Sequence, residues 1–228
     1  MFCFSKLWDY HISQSNVTIR YYFVVGHTSR SFSASTFLED FIIRLNLEDS
    51  YLNLTLKSIA MLRWIRLHCN NARFIAKMDD DFLVSVDTLL DVLSQAHKQH
   101  MTNTIFGRVS LSHKWNIWGD AGRIWNLDSS VYPLDSWPNY ASGPLYILTK
   151  DVIGRLLQRA GMLDTPLINI EDIFVTGIVR VLENVTLTSV PMHGTCSIYS
   201  LSRASTAVGV HHYDYISRRC MEQHRVYT

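Results

Sequence analysis

The sequence has no CxxC pair, no excess of either charge and no apolar run of about 18 residues, the length a membrane-spanning helix needs. Each absence removes a class. Its four cysteines, Cys3, Cys69, Cys196 and Cys220, stand far apart, which excludes a paired-cysteine zinc site. They fit one or two disulfides in an oxidising compartment and equally fit four free thiols. Lys and Arg total 21 against 20 Asp and Glu, for a net charge of +1. No global field therefore draws the chain to nucleic acid or to an anionic membrane. The opening MFCFSKLWDYHISQS is broken by Lys6, Asp9 and His11 and does not make a signal peptide. There is no internal repeat, no low-complexity block and no linker.

What is present is globular. Of 228 residues, 47% are hydrophobic, enough for one sizeable core in one domain. Six Trp and eleven Tyr make the chain rich in aromatics that either stack on a sugar or base or, more commonly, bury. Three N-x-[ST] triplets begin at Asn16, Asn53 and Asn184.

The hydrophobic pattern alternates between two periods. IRYYFVVG, residues 19–26, reads as a buried strand ended by Gly, and Phe41-Ile42-Ile43 as a possible second one. In residues 51–69, Tyr51, Leu54, Ser58, Met61, Leu62, Ile65 and Cys69 recur at helical spacing, and Asn70-Asn71 ends the run. ARFIAKM (72–78) reads as a strand, 86–99 as a helix and 105–111 as a strand. A long polar and aromatic stretch (113–140) reads as loop or irregular strand, then come a strand at 145–148 and a helix at 150–160 stopped by Gly161. An apolar helical run follows Glu171-Asp172, and NVTLTSVPM reads as a last strand. This alternation predicts an α/β domain, a three-layer α/β/α sandwich around a mostly parallel sheet. Ligands of such sheets bind beyond the carboxyl ends of the strands.

The aspartate triplet Asp79-Asp80-Asp81 stands at such an end, between apolar runs. Adjacent carboxylates near a core repel and are costly to desolvate unless water or a cation receives them. In an extended segment Asp79 and Asp81 share a side, and two hard oxygen donors there suit Mg²⁺ or Mn²⁺. The plainer reading is a solvated acidic turn. Glu171-Asp172 is either a charge bias at a helix start or a general base. WPNYASGP (137–144) combines aromatics with a Gly that permits close backbone approach, or is a simple turn. His211-His212 is a metal-ligand candidate or an incidental pair.

Together these stretches resemble the β1,3-glycosyltransferase family that includes the β1,3-galactosyltransferases and β1,3-N-acetylglucosaminyltransferases, with the fringe proteins as relatives. IRYYFVVG looks like its first strand and LEDSYLNLTLKS like its helix-opening signature. FIAKMDDDFLV resembles its Lys-x-Asp-Asp-Asp metal motif, WPNYASGPLYILT its Pro-x-Tyr-x-x-Gly segment, and IEDIFVTGI its Glu-Asp-Val motif ending on Gly. All five stand in register between residues 19 and 178, while the tail beyond about residue 185 matches only loosely.

The resemblance implies a GT-A fold and an inverting hexosyltransferase with a Mn²⁺ or Mg²⁺ ion. The donor would be UDP-galactose or UDP-N-acetylglucosamine, and the acceptor a glycan on a glycoprotein or glycolipid, joined in β1,3 linkage. It places Asp81, Asp79 and His212 (or His211) on the metal. Asp79, Asp80, Lys77, Tyr140, Gly143 and Pro144 fall on the donor, with Asp172 as catalytic base and Glu171 beside it. It implies the Golgi lumen and a type II membrane anchor, which this chain does not display. Only MFCFSKLWDYHISQSNVT precedes the first strand, so the expectation is one catalytic domain, 1–228, truncated at its N-terminus, with 1–18 a poorly ordered leader. Two other readings stand beside it. One is an inactive relative that binds UDP-sugar or glycan. The other is a metal-dependent phosphoryl-processing enzyme using Asp79 and Asp81.

Overall fold

The computed structural model describes residues 18–27, 40–79, 82–84, 86–111, 132, 136–163, 168–190 and 209–211. Strand β1 (Phe23–His27) pairs in parallel with β2 (Ile42–Glu48). A 3₁₀ turn (Tyr51–Asn53) opens helix α1 (Leu54–His68), followed by β3 (Phe74–Met78), β4 (Phe82–Val84), α2 (Val86–Lys98) and β5 (Thr104–Ser110). Then come β6 (Tyr140–Thr149), α3 (Val152–Met162), a π-helix (Ile173–Val179) with a last turn at Arg180–Leu182, β7 (Thr186–Ser189) and β8 (Gly209–His211).

The largest sheet has the order β3-β6-β5-β7. Strand β5 runs parallel to β7, whereas β6 is antiparallel to both β3 and β5, so this sheet is mixed. The period-2 alternation of β6 divides its core. Tyr146 and Leu148 join Ile75 and Ile105 under α1, α3 and the π-helix, represented by Leu62, Leu156 and Phe174. Leu145 and Ile147 join Phe106 against Leu89 and Ala96 of α2. Helices thus cover both faces of the sheet, the α/β layering that the sequence pattern predicts.

Local details follow from side-chain chemistry. The buried face of α1 is Thr55, Ser58 and Leu62, while Tyr51 is exposed. Thr55 can be buried because its hydroxyl donates to the Ile168 carbonyl at 2.6 Å. Helix α3 passes through Gly161 to end at Met162. Cys69 is a free thiol, and the other three cysteines lie outside the described residues. Trp137 is a core side chain, its ring 4.1 Å from that of Tyr132. Among the described residues no helix is long and apolar enough to cross a membrane.

The helix-opening signature is explained by one ion pair. Asp49 accepts from the Gly26 N–H at 2.9 Å and from Lys57 Nζ at 2.8 Å, joining the end of β1 to the first turn of α1. Burial alone raises the Asp49 carboxyl, and the Lys57 ammonium with the Gly26 N–H outweighs that and holds it below its usual value. Gly26 is required by close approach, since a Cβ there would lie 2.3 Å from the Leu47 carbonyl oxygen.

Candidate active site

The site begins with the alternation of β3. Ile75, Lys77 and, one step past the strand, Asp79 share the face that carries the larger core. Lys77 lies directly across from Tyr146 in the β3–β6 ladder, with Nζ 5.8 Å from that ring's centre. The ladder is extended by the Asp79 N–H, which donates to the Pro144 carbonyl at 3.0 Å. Pro144 therefore fixes the backbone of the first aspartate.

Strand β6 is bulged at this point. Gly107 pairs with Tyr146 and Val109 with Ala141, so between these pairs one residue of β5, Arg108, is opposed by four of β6. The extra residues include Ser142, Gly143 and Pro144, and the bulge takes Gly143 out of the β5 ladder. Its N–H donates instead to Asp172 Oδ2 at 2.8 Å. Asp172 caps the π-helix, with Oδ1 accepting from the Ile173 N–H at 2.9 Å. Behind it, the Thr176 hydroxyl accepts from the Ala141 N–H at 2.8 Å and donates to the Asp172 carbonyl at 2.7 Å. A half-buried carboxylate, two backbone donors and one hydroxyl thus tie the π-helix to the bulge.

Glu171 is buried and faces the other way, accepting from the Tyr146 hydroxyl at 2.6 Å and lying 3.5 Å from Lys77 Nζ. Burial and the charge of Glu171 hold the Tyr146 hydroxyl well above its usual value, so it remains a donor. Lys77 Nζ donates to Gly143 O at 2.9 Å and to Asp79 Oδ1. Burial lowers the Lys77 pKa, but the charges of Glu171 and Asp79 outweigh it and raise the value, keeping the ammonium charged. Asp172 is raised to about 6, first by burial and then by Glu171, against the lowering effect of its two N–H donors and Lys77. At neutral pH such a group is largely ionised and still basic enough to accept a proton from a nearby hydroxyl.

Of the residues singled out in the sequence, Lys77, Asp79, Gly143, Pro144, Glu171 and Asp172 come together here. Tyr140 stands at the start of β6, close enough to Asp172 that burial and that carboxylate raise its hydroxyl pKa. Asp80, Asp81 and His212 lie outside the described residues, and so do the side chains of β4 and β8. The backbone of β8 pairs with β4, Phe82 opposite His211. No group of three or more metal-ligating side chains occurs among the described residues. Tyr146, Thr176 and Ser58, which also hydrogen-bonds the Tyr146 hydroxyl, were not read as site residues in the sequence, Ser58 entering only as part of a helical stripe. Their only signal was an unremarkable polar or aromatic residue on an apolar face.

Comparison with known proteins shows the family. The family model described as Galactosyltransferase matches residues 3–191. The chain is 28% identical over 142 residues to the β-1,3-galactosyltransferase bre-2 of Caenorhabditis elegans, covering 60% of this chain and 38% of that protein. It is 26% identical over 190 residues to the β-1,3-galactosyltransferase brn of Drosophila melanogaster, covering 80% of this chain and 55% of that protein. It is 28% identical over 178 residues to β-1,3-galactosyltransferase 1 of Homo sapiens, covering 76% and 50%. The chain spans about half the length, or less, of these curated relatives. With the family model matched over most of its residues, the chain belongs to the galactosyltransferase family.

Proposed function

We propose that this chain transfers galactose, or N-acetylglucosamine, from a UDP-sugar to a glycan hydroxyl in β1,3 linkage with inversion. The observation that carries the proposal is Asp172, a carboxylate raised to about 6, held by the Gly143 N–H and standing one residue from the Glu171–Lys77–Asp79 ion cluster. Its position at a strand bulge fits a group aimed at an acceptor rather than one packed for stability alone.

In the reaction the acceptor oxygen bonds to the anomeric carbon as the bond from that carbon to the diphosphate oxygen breaks. The acceptor's proton passes to Asp172, and UDP leaves with the bonding pair. A single base that activates the acceptor suits a single displacement and hence inversion. Tyr140 and the 142–144 bulge flank Asp172 and are the surfaces that would orient the sugar and exclude water.

The residues that would hold a divalent ion are Asp81, Asp79 and His212. The donor set fits Mn²⁺ or Mg²⁺: carboxylates are hard ligands, and Asp79 gives one oxygen to Lys77 while the other has no partner among the described residues. When bound, the ion would stabilise the charge that builds on the departing diphosphate. The family's setting, the Golgi lumen with a glycoprotein or glycolipid acceptor, is part of the same proposal.

A panel of UDP-sugars with and without Mn²⁺, followed by proton NMR of the product linkage, tests this reading. A β1,3 product made from UDP-galactose or UDP-N-acetylglucosamine supports it. Phosphate-ester hydrolysis without sugar transfer, or UDP-sugar binding without turnover on any acceptor, replaces it with one of the two other readings. Asp81→Ala is expected to abolish Mn²⁺-dependent UDP binding, and unchanged affinity removes Asp81 from the site.

A further inference from the structure

The geometry points to Lys77 as a positioning residue, an internal cation that locks the first aspartate of the acidic motif and the base-bearing turn into one unit rather than a hand held out to the donor. This deepens the reading above and rests on it. The family resemblance places Lys77 among the donor-binding residues. An ammonium has three N–H bonds. Two of them are hydrogen-bonded inside the protein, to Asp79 Oδ1 and to Gly143 O at 2.9 Å, and the ammonium is ion-paired with Glu171 Oε2 at 3.5 Å. An ammonium so engaged by protein groups is poorly placed to reach out to a phosphate.

The partners also close a ring. Lys77 grips the carbonyl of Gly143, whose own N–H grips Asp172. Asp172 is joined by one peptide bond to Glu171, and Glu171 returns to Lys77. Tyr146, across the ladder from Lys77 and fully buried, fixes the second oxygen of Glu171 at 2.6 Å. The Lys77 side chain is 15% exposed and that of Glu171 is 6% exposed, so solvent weakens this pair little. Asp79 at 35% exposure is the member that opens outward. A shift of the Asp79 backbone is thereby transmitted to Gly143 and Asp172 through one side chain. The titratable and charged groups that bear on Asp172 are Glu171, Lys77, Tyr140 and Tyr146, with Asp79 acting through Lys77 and Arg108 through Tyr140.

Lys77→Met, Lys77→Arg and Glu171→Gln test the assignment in the full chain. Lys77→Met is expected to lower kcat about 10- to 100-fold and, by freeing Asp79, to weaken Mn²⁺-dependent UDP affinity by less than that, while UDP affinity without Mn²⁺ stays within about threefold. Lys77→Arg, which restores the charge in a different shape, is expected to recover part of the loss. The acid limb of the kcat profile should move up in Lys77→Met and down in Glu171→Gln, because Lys77 attracts the Asp172 charge and Glu171 repels it. Damage to the fold alone does not move the two variants in opposite directions. A matching loss of UDP affinity in Lys77→Met, with the acid limb unmoved, makes Lys77 a donor ligand and overturns the proposal. Carbon-13 NMR titration of the Asp172 carboxyl separates this from the function itself. If the wild type transfers no sugar, opposite midpoint shifts in the two variants still support the positioning role, and an unmoved midpoint in both refutes it. Should Lys77→Met fail to fold, the same titration on Lys77→Arg and Glu171→Gln decides. Glu171→Gln leaving the midpoint in place then counts against the ring.

Discussion

The Gly143 N–H and the Asp172 carboxylate are so close that a side chain on Gly143 would crowd the carboxylate. The hydrogen bond is 2.8 Å, and a Cβ on Gly143 would sit 3.2 Å from Asp172 Oδ2. Gly143→Ala must therefore push the base by a few tenths of an ångström. Its kcat is expected to fall about 10- to 100-fold with UDP affinity retained. Steady-state kinetics beside a UDP titration checks this, and a fully active alanine variant means the carboxylate's placement is not critical.

The pH dependence follows from Asp172. With Asp172 as the proposed base, its pKa of about 6 is expected to set the acid limb of kcat, with activity dropping about tenfold per pH unit below that value. A limb centred near 4 would show an unperturbed carboxyl and contradict the burial argument.

The same shift has a sign for stability. Asp172 is more acidic in the unfolded chain, at the reference 3.8, than in the fold. Its ionisation therefore favours unfolding, and this cost is fully present above pH 6 and vanishes below pH 4. Asp172→Asn is expected to be about 1 kcal/mol more stable than wild type at pH 7, and about 1–2 kcal/mol less stable at pH 4, where the lost hydrogen bond is no longer offset. Thermal melts at the two pH values test the difference, and a variant less stable at pH 7 would show that the carboxylate is there for the fold.

How much of this was legible in the sequence depends on which interactions carry each element. Helix α1 and strand β3 were readable because their patterns are local: small and apolar residues at helical spacing, and an alternating run ending at the aspartates. Strand β6 was read as four residues and spans Tyr140–Thr149. Gly143 and Pro144 look like a turn, and the strand survives them only because the bulge's hydrogen bonds go to Asp172, Lys77 and Asp79, far away in sequence. Strand β2, expected at 41–43, continues to Glu48 because Arg44, Asn46 and Glu48 are exposed between inward residues, an alternation hidden by the polar flanks. Tyr146 and Thr176 gain their roles from partners 25 and 35 residues away, which no window on the sequence contains.

The link between β1 and α1 makes a separate prediction, independent of catalysis. Asp49 and Lys57 are partly exposed, with side chains at 26% and 21%, so their coupling should be modest. A double-mutant cycle of Asp49→Ala and Lys57→Ala is expected to give about 0.5–1 kcal/mol. Asp49→Ala should cost more than Lys57→Ala, since it also strands the Gly26 N–H. Equal single costs would mean that this N–H finds another acceptor.

The most direct test of the central claim compares wild type and Asp172→Asn for UDP-galactose binding and for galactose transfer in the presence of Mn²⁺. The account predicts donor affinity unchanged within about twofold and transfer reduced by about 10²–10⁴-fold, the share a positioned base contributes. Full turnover by Asp172→Asn would contradict it.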